Sequence, residues 1–203
     1  MKGIIIDRVE LNPVIAAVQN EEDLEIAINS QVTTIFLLCA DIFNAKSLVD
    51  KIKTAGKSAL IHIDFLEGIG KDAKAIDYII EVIRPDGVIS TKSSHIKIAK
   101  EKGMFTIQRF FLIDNKSYEM TKQSVKSRQP DMIEIMPGVM PGVINRMIKE
   151  LSIPVIAGGL IDSKQDIMEI LKAGAIGAST SKKIMGTIII KYFLQIKTIY
   201  GII

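Results

Sequence analysis

One unit recurs eight times along this chain: a short apolar run, a turn, and a helical segment. The runs are Val14–Val18, Thr34–Cys39, Ala59–Asp64, Val88–Thr91, Phe105–Phe111, Met132–Met136, Pro154–Gly158 and Ile176–Ser179. They read as continuous apolar stretches rather than strict alternation, the pattern of parallel strands buried on both faces. The segments between them carry helix signals. Asn20 precedes Glu21-Glu22-Asp23, acids that suit a first helical turn, and Gly56, Gly103 and Gly174 close helices. Eight such units predict a single α/β domain over 1–203, a TIM-type (β/α)8 barrel. Its 203 residues lie near the minimum of roughly 200 for that architecture. A doubly wound open sheet is the alternative, but it needs an edge, and no run is polar enough to be one.

Cys39 is the single cysteine, so no disulfide forms within the chain, and a reducing, cytoplasmic setting is expected. At the amino end, Ile4-Ile5-Ile6 is cut short by Asp7, Arg8 and Glu10, which does not read as a signal peptide. No stretch reaches the roughly 20 apolar residues of a membrane span. The tail 183–203 is the most apolar part. Ile184, Ile188, Tyr192 and Ile196 repeat at helical spacing and predict a packed final helix, with a partner-binding surface as the alternative.

Ligands of such barrels bind at the carboxyl ends of the strands, which directs attention to the polar residues there. Gly158-Gly159 after the seventh strand lets a ligand approach the backbone, and Ser179-Thr180-Ser181 after the eighth supplies hydroxyls and N–H donors. Together they predict a phosphate cradle, with Lys92 or Arg109 adding charge. Asp41, His62, Asp64, Glu67, Gln108 and Glu134 are the other polar residues assigned to the mouth. His62 and Asp64 share a strand face but are too few to hold a structural metal, so no metal is expected. Glu134 is expected to face inward, where a carboxylate needs a partner, Arg109 or Lys92.

The ordered segments Pro13–Val18, His62-Ile-Asp64, Glu67-Gly68, Pro85–Thr91, Gln108-Arg-Phe-Phe111, Glu134-Ile-Met-Pro-Gly-Val-Met-Pro141, Ile156–Leu160 and Ala173–Ser181 closely resemble the glycerol-3-phosphate-responsive antiterminator family. The resemblance runs over about 13–182. Relatives often carry Arg at the position of Lys92, which holds phosphate by a planar fork rather than a point charge. The resemblance implies a cytoplasmic regulator, not an enzyme, that binds glycerol 3-phosphate as effector and needs no cofactor. It also implies a leader mRNA of glycerol-utilisation genes as partner, protected from premature termination. A homo-oligomer and a barrel enzyme on a phosphorylated metabolite (isomerase, epimerase or aldolase) stay open as alternatives. The net charge of +3 is too small to imply nucleic acid, but it is unevenly spread. From Lys92 to Arg128 there are nine Lys/Arg against three Asp/Glu. Lys122, Lys126 and Arg128 are the expected RNA contacts, and a solvated helix face explains the same charges equally well.

Overall fold

The computed structural model describes residues 2–182, so the final-helix expectation for 183–203 lies outside the described residues. The chain opens on a helix, α1 (Lys2–Leu11), and then alternates. In order come β1 (Val14–Val18), α2 (Glu21–Asn29), β2 (Thr34–Leu37), α3 (Ala45–Thr54), β3 (Ser58–His62) and α4 (Ala73–Tyr78). A 3₁₀ turn, Ile63–Phe65, follows β3, and π-helical residues Ile79–Ile83 extend α4. Next come β4 (Gly87–Ser90), α5 (Ser93–Glu101), β5 (Phe105–Phe111), α6 (Asn115–Arg128) and β6 (Met132–Met136). The last elements are α7 (Pro141–Glu150), β7 (Val155–Gly158), α8 (Lys164–Lys172) and β8 (Gly177–Thr180).

Every strand pairs in parallel with its sequence neighbours, and β8 returns to β1 through Val14↔Ala178 and Ile15↔Ser179, closing the barrel. The open-sheet alternative is therefore excluded. Helices start where local chemistry permits. Asn20, Asp72, Asp114 and Ser163 each accept a backbone N–H in the first turn of the helix that follows, and Asp114 and Ser163 complete capping boxes.

Strand periodicity divides the core into two shells. Val18, Ile35, Ile61, Val88, Ile133 and Val155 face outward against the helices, while Ile15, Phe36, Leu60, Ile89, Ile107 and Ile156 fill the barrel. The sequence reading did not anticipate α1. Its Ile5 and Val9, one helical turn apart, are buried with the inner shell. They plug the end of the barrel where the strands begin. Val9 lies so close to β8 that a Cβ at Gly177 would sit 2.7 Å from its Cγ1. Ile5→Val is expected to cost about 1 kcal/mol in urea unfolding. An unchanged midpoint would mean that α1 does not contribute this packing. Among the described residues, no helix is long and apolar enough to cross a membrane.

Candidate functional site

Two residues beyond the filled inner layer, the same parity brings His62, Arg109, Glu134, Gly158 and Ser179 into the barrel mouth. Glu134 is fully buried, and its two oxygens are both taken. Arg109 Nε donates to Oε2 at 2.6 Å, and Ser179 Oγ donates to Oε1 at 2.5 Å. Arg109 is itself only 5% exposed. Of the two partners expected for Glu134, Arg109 is therefore the one observed. The exposed Lys92 instead precedes α5 and forms no ion pair among the described residues.

Above this network lies an open pocket of about 230 Å³, lined by Gln19, Phe65, Arg109, Gly159, Ser181 and Lys182 among others. Two hydroxyls of the Ser-Thr-Ser run are already committed as donors. Ser179 donates to Glu134, and Thr180 Oγ1 donates outward to the Ile161 carbonyl at 3.1 Å. The groups left for an anion are the backbone N–H groups of Gly159, Leu160 and Ser181, which reach no acceptor among the described residues. The Ser181 hydroxyl, the remaining guanidinium N–H groups of Arg109 and the Lys182 amine join them. That amine lies 3.3 Å from Asp162 Oδ1. Gly159 and Leu160 both have positive φ, +76° and +58°. For leucine that conformation is uncommon and strained, and it occurs in the loop that carries the free amides. The arrangement suits a small dianion: backbone donors on one side and a buried, oriented cation beneath.

The other residues assigned to the mouth take different places. Asp64 lies in the 3₁₀ turn beyond β3 rather than in the strand, and locks two loops together. Its carboxylate accepts from Ser90 Oγ (2.8 Å), Thr91 N (2.7 Å) and Thr91 Oγ1 (2.8 Å). Burial raises its pKa, but those hydrogen bonds and the nearby His62 outweigh burial and hold it below its usual value. Asp41 accepts from the N–H groups of Phe43 and Asn44 and shapes the β2–α3 turn. Glu67 is exposed on the rim, bridged through its backbone to Asp41. Gln108 does not face the mouth. One residue out of phase with Arg109, it points between helices and donates to Ser93 and Ser124 Oγ.

His62 is 1% exposed, its ring centroid lies 4.3 Å from that of Phe65 at a tilt of 36°, and neither ring nitrogen has a hydrogen-bond partner among the described residues, Nδ1 standing 3.9 Å from Asp64 Oδ2. Burial, then the charge of Arg109, pushes its pKa down to about 3. It sits behind the pocket wall rather than in it. Because the folded value lies below the ordinary 6.5, this contribution to stability is complete above about pH 6.5. It is lost as pH falls toward 3, at up to about 1.4 kcal/mol per pH unit. Urea midpoints between pH 7 and 4 should show a shallower acid loss in His62→Leu. Identical slopes would remove His62 from that account.

The sequence did not reveal a third cluster. Ser90 Oγ lies 3.0 Å from His95 Nδ1, and His95 lies 3.3 Å from Asp64. The set resembles a nucleophile with its base, but Ser90 is fully buried and the far His95 nitrogen faces the Lys71 carbonyl at 3.2 Å. It is a structural clasp. Among the described residues there is no group of three or more His, Cys, Asp or Glu side chains placed to hold a metal.

Of the residues expected to contact RNA, Lys122 is held by Glu119 (3.2 Å) and Glu150 (2.6 Å), whereas Lys126 and Arg128 are exposed at the end of α6.

Comparison with known proteins gives these features a context. The family model for the glycerol-3-phosphate responsive antiterminator matches residues 14–185. The Escherichia coli protein YgcP is 40% identical over 170 residues, which cover 84% of this chain and 89% of YgcP. A glycerol uptake operon antiterminator regulatory protein from Listeria monocytogenes is 36% identical with a TM-score of 0.83, covering 86% of this chain and 94% of that one. A glycerol uptake operon antiterminator-related protein from Thermotoga maritima is 30% identical with a TM-score of 0.76, covering 85% and 96%. With its closed barrel and a match over most of its length, the chain belongs to the glycerol-3-phosphate-responsive antiterminator family.

Proposed function

We propose that this protein is a cytoplasmic, metabolite-gated regulator. It binds glycerol 3-phosphate in the barrel mouth and, in that state, binds a leader RNA and prevents premature transcription termination. The observation that carries the ligand half is the free backbone donors of the Gly159 and Ser181 loops above the buried Arg109–Glu134 pair. A phosphate monoester supplies oxygens to those donors, and its charge is met by Arg109, whose outer N–H groups face the pocket. Family membership supports the RNA half. The same membership favours regulation over catalysis, and the Ser90–His95 set is buried and does not line the pocket.

Thermal unfolding tests the ligand half. Glycerol 3-phosphate at a hundredfold excess over its dissociation constant is expected to add about 2.7 kcal/mol of stability. Glycerol alone should add none. No shift with glycerol 3-phosphate overturns the ligand assignment. Gel shifts of a leader transcript from a glycerol-utilisation operon, with and without glycerol 3-phosphate, test the other half. Effector-independent binding overturns the gating, and no binding overturns the RNA partner.

A further inference from the structure

The two ends of the barrel differ in charge. The loops at the mouth hold Asp41, Asp64, Glu67, Asp72, Asp114 and Asp162 against Lys71, Lys92 and Lys182. The loops at the opposite end hold Lys57, Arg84 and Lys102 against Asp86 and Asp131. A polyanion is therefore repelled by the acidic rim of the ligand pocket more than by the end plugged by α1, whose loops carry one more cation than acids.

At that end is a second cleft of about 250 Å³, lined by Ile4, Ile5, Arg8, Lys53, Gly56, Lys57, Ser58 and Asp86. Three cations face it against one carboxylate. Lys53 pairs with that carboxylate at 3.2 Å. Arg8 and Lys57 instead lean on neutral groups. Arg8 Nη1 donates to Ser58 Oγ at 2.9 Å, and Lys57 Nζ donates to the carbonyls of Ser30 and Val32 at 2.7 and 2.6 Å. Lys53 also donates to the Arg84 carbonyl at 3.1 Å, which brings the Arg84 backbone to the edge of the cleft. Asp7 and Glu10 flank Arg8 in α1, but neither lines the cleft. Arg8 is thus oriented by one hydrogen bond, its other N–H groups reach no acceptor among the described residues, and its charge has no ion-pair partner there. An oriented guanidinium with free donors beside further cations is a seat for phosphate oxygens.

We propose that this cleft, at the end of the barrel away from the effector pocket, holds backbone phosphates of the bound RNA. The proposal rests on the RNA reading above. It places the contact on Arg8 and Lys53, in a cleft where three cations meet the single carboxylate of Asp86, rather than on Lys122 of α6, which alone faces two carboxylates, Glu119 and Glu150.

The test titrates the leader transcript with the full chain in glycerol 3-phosphate at several salt concentrations. Arg8→Gln/Lys53→Gln is compared with wild type and with Lys126→Gln/Arg128→Gln. The cleft variant is expected to bind RNA roughly tenfold more weakly, and its log–log salt slope should fall by about 1.4, the loss of two phosphate contacts on a single strand. Its thermal shift with glycerol 3-phosphate should match wild type. Ile4→Glu adds a carboxylate at the 55% exposed lip without removing a hydrogen bond, and should weaken RNA binding in the same direction. If the double variant loses the effector shift through misfolding, Ile4→Glu decides the matter. Wild-type affinity and slope in the cleft variants, or a loss confined to the Lys126/Arg128 variant, overturns the proposal. Wild-type protein that binds glycerol 3-phosphate but no RNA overturns the RNA reading, and this inference with it.

Discussion

Glu134→Ala is expected to destabilise the fold by about 3–5 kcal/mol, because it leaves the Arg109 guanidinium buried without its carboxylate. The Ser179 hydroxyl loses its acceptor at the same time. Arg109→Met/Glu134→Leu removes both charges and fills the space with apolar volume, so it should recover most of that stability. It should not recover glycerol 3-phosphate binding, since the oriented cation is gone. Urea unfolding and calorimetry on the two variants separate these roles. A stable double variant that still binds the effector with wild-type affinity would show that the ion pair serves the fold alone.

That pair was nearly legible in the sequence. Buried parallel strands appear as unbroken apolar runs, so a charged residue inside one stands out, and Glu134 interrupts MIEIM. Matching it to Arg109 rather than Lys92 needed the register, which sets Arg109 directly beside Glu134 on adjacent strands. Gln108 shows what a run of apolar residues conceals. Adjacent residues of a strand cannot both point inward, so Gln108 and Arg109 had to divide between the helices and the mouth. The same alternation separates Ser179 from Thr180. Helix α1 was illegible for another reason. Of its ten residues Ile5 and Val9 are buried in the inner shell and Ile6 is partly buried against it, too sparse a pattern to signal an amphipathic face. Lys122 depends on Glu150 from the next helix, which no local pattern reveals.

The two glycines after the seventh strand should fail differently when substituted. At Gly158, a Cβ would stand 2.5 Å from both Glu134 Oε1 and Ser179 Oγ, inside the buried network. Gly158→Ala must displace one of those groups, with an expected cost of about 1–3 kcal/mol from overpacking. Glycerol 3-phosphate affinity should fall as well, because Arg109 is positioned through Glu134. At Gly159 the nearest atom to such a Cβ is 3.5 Å away, an ordinary contact, and the constraint is the backbone at φ +76°. Gly159→Ala should therefore cost about 1–2 kcal/mol from the left-handed conformation alone. Its affinity should drop only as far as the methyl crowds the phosphate against the free N–H groups. A larger side chain such as Gly159→Leu should reduce affinity much further at similar stability. Urea midpoints paired with calorimetry on the three variants check this ordering. Unchanged glycerol 3-phosphate affinity in Gly159→Leu would place the phosphate away from this loop.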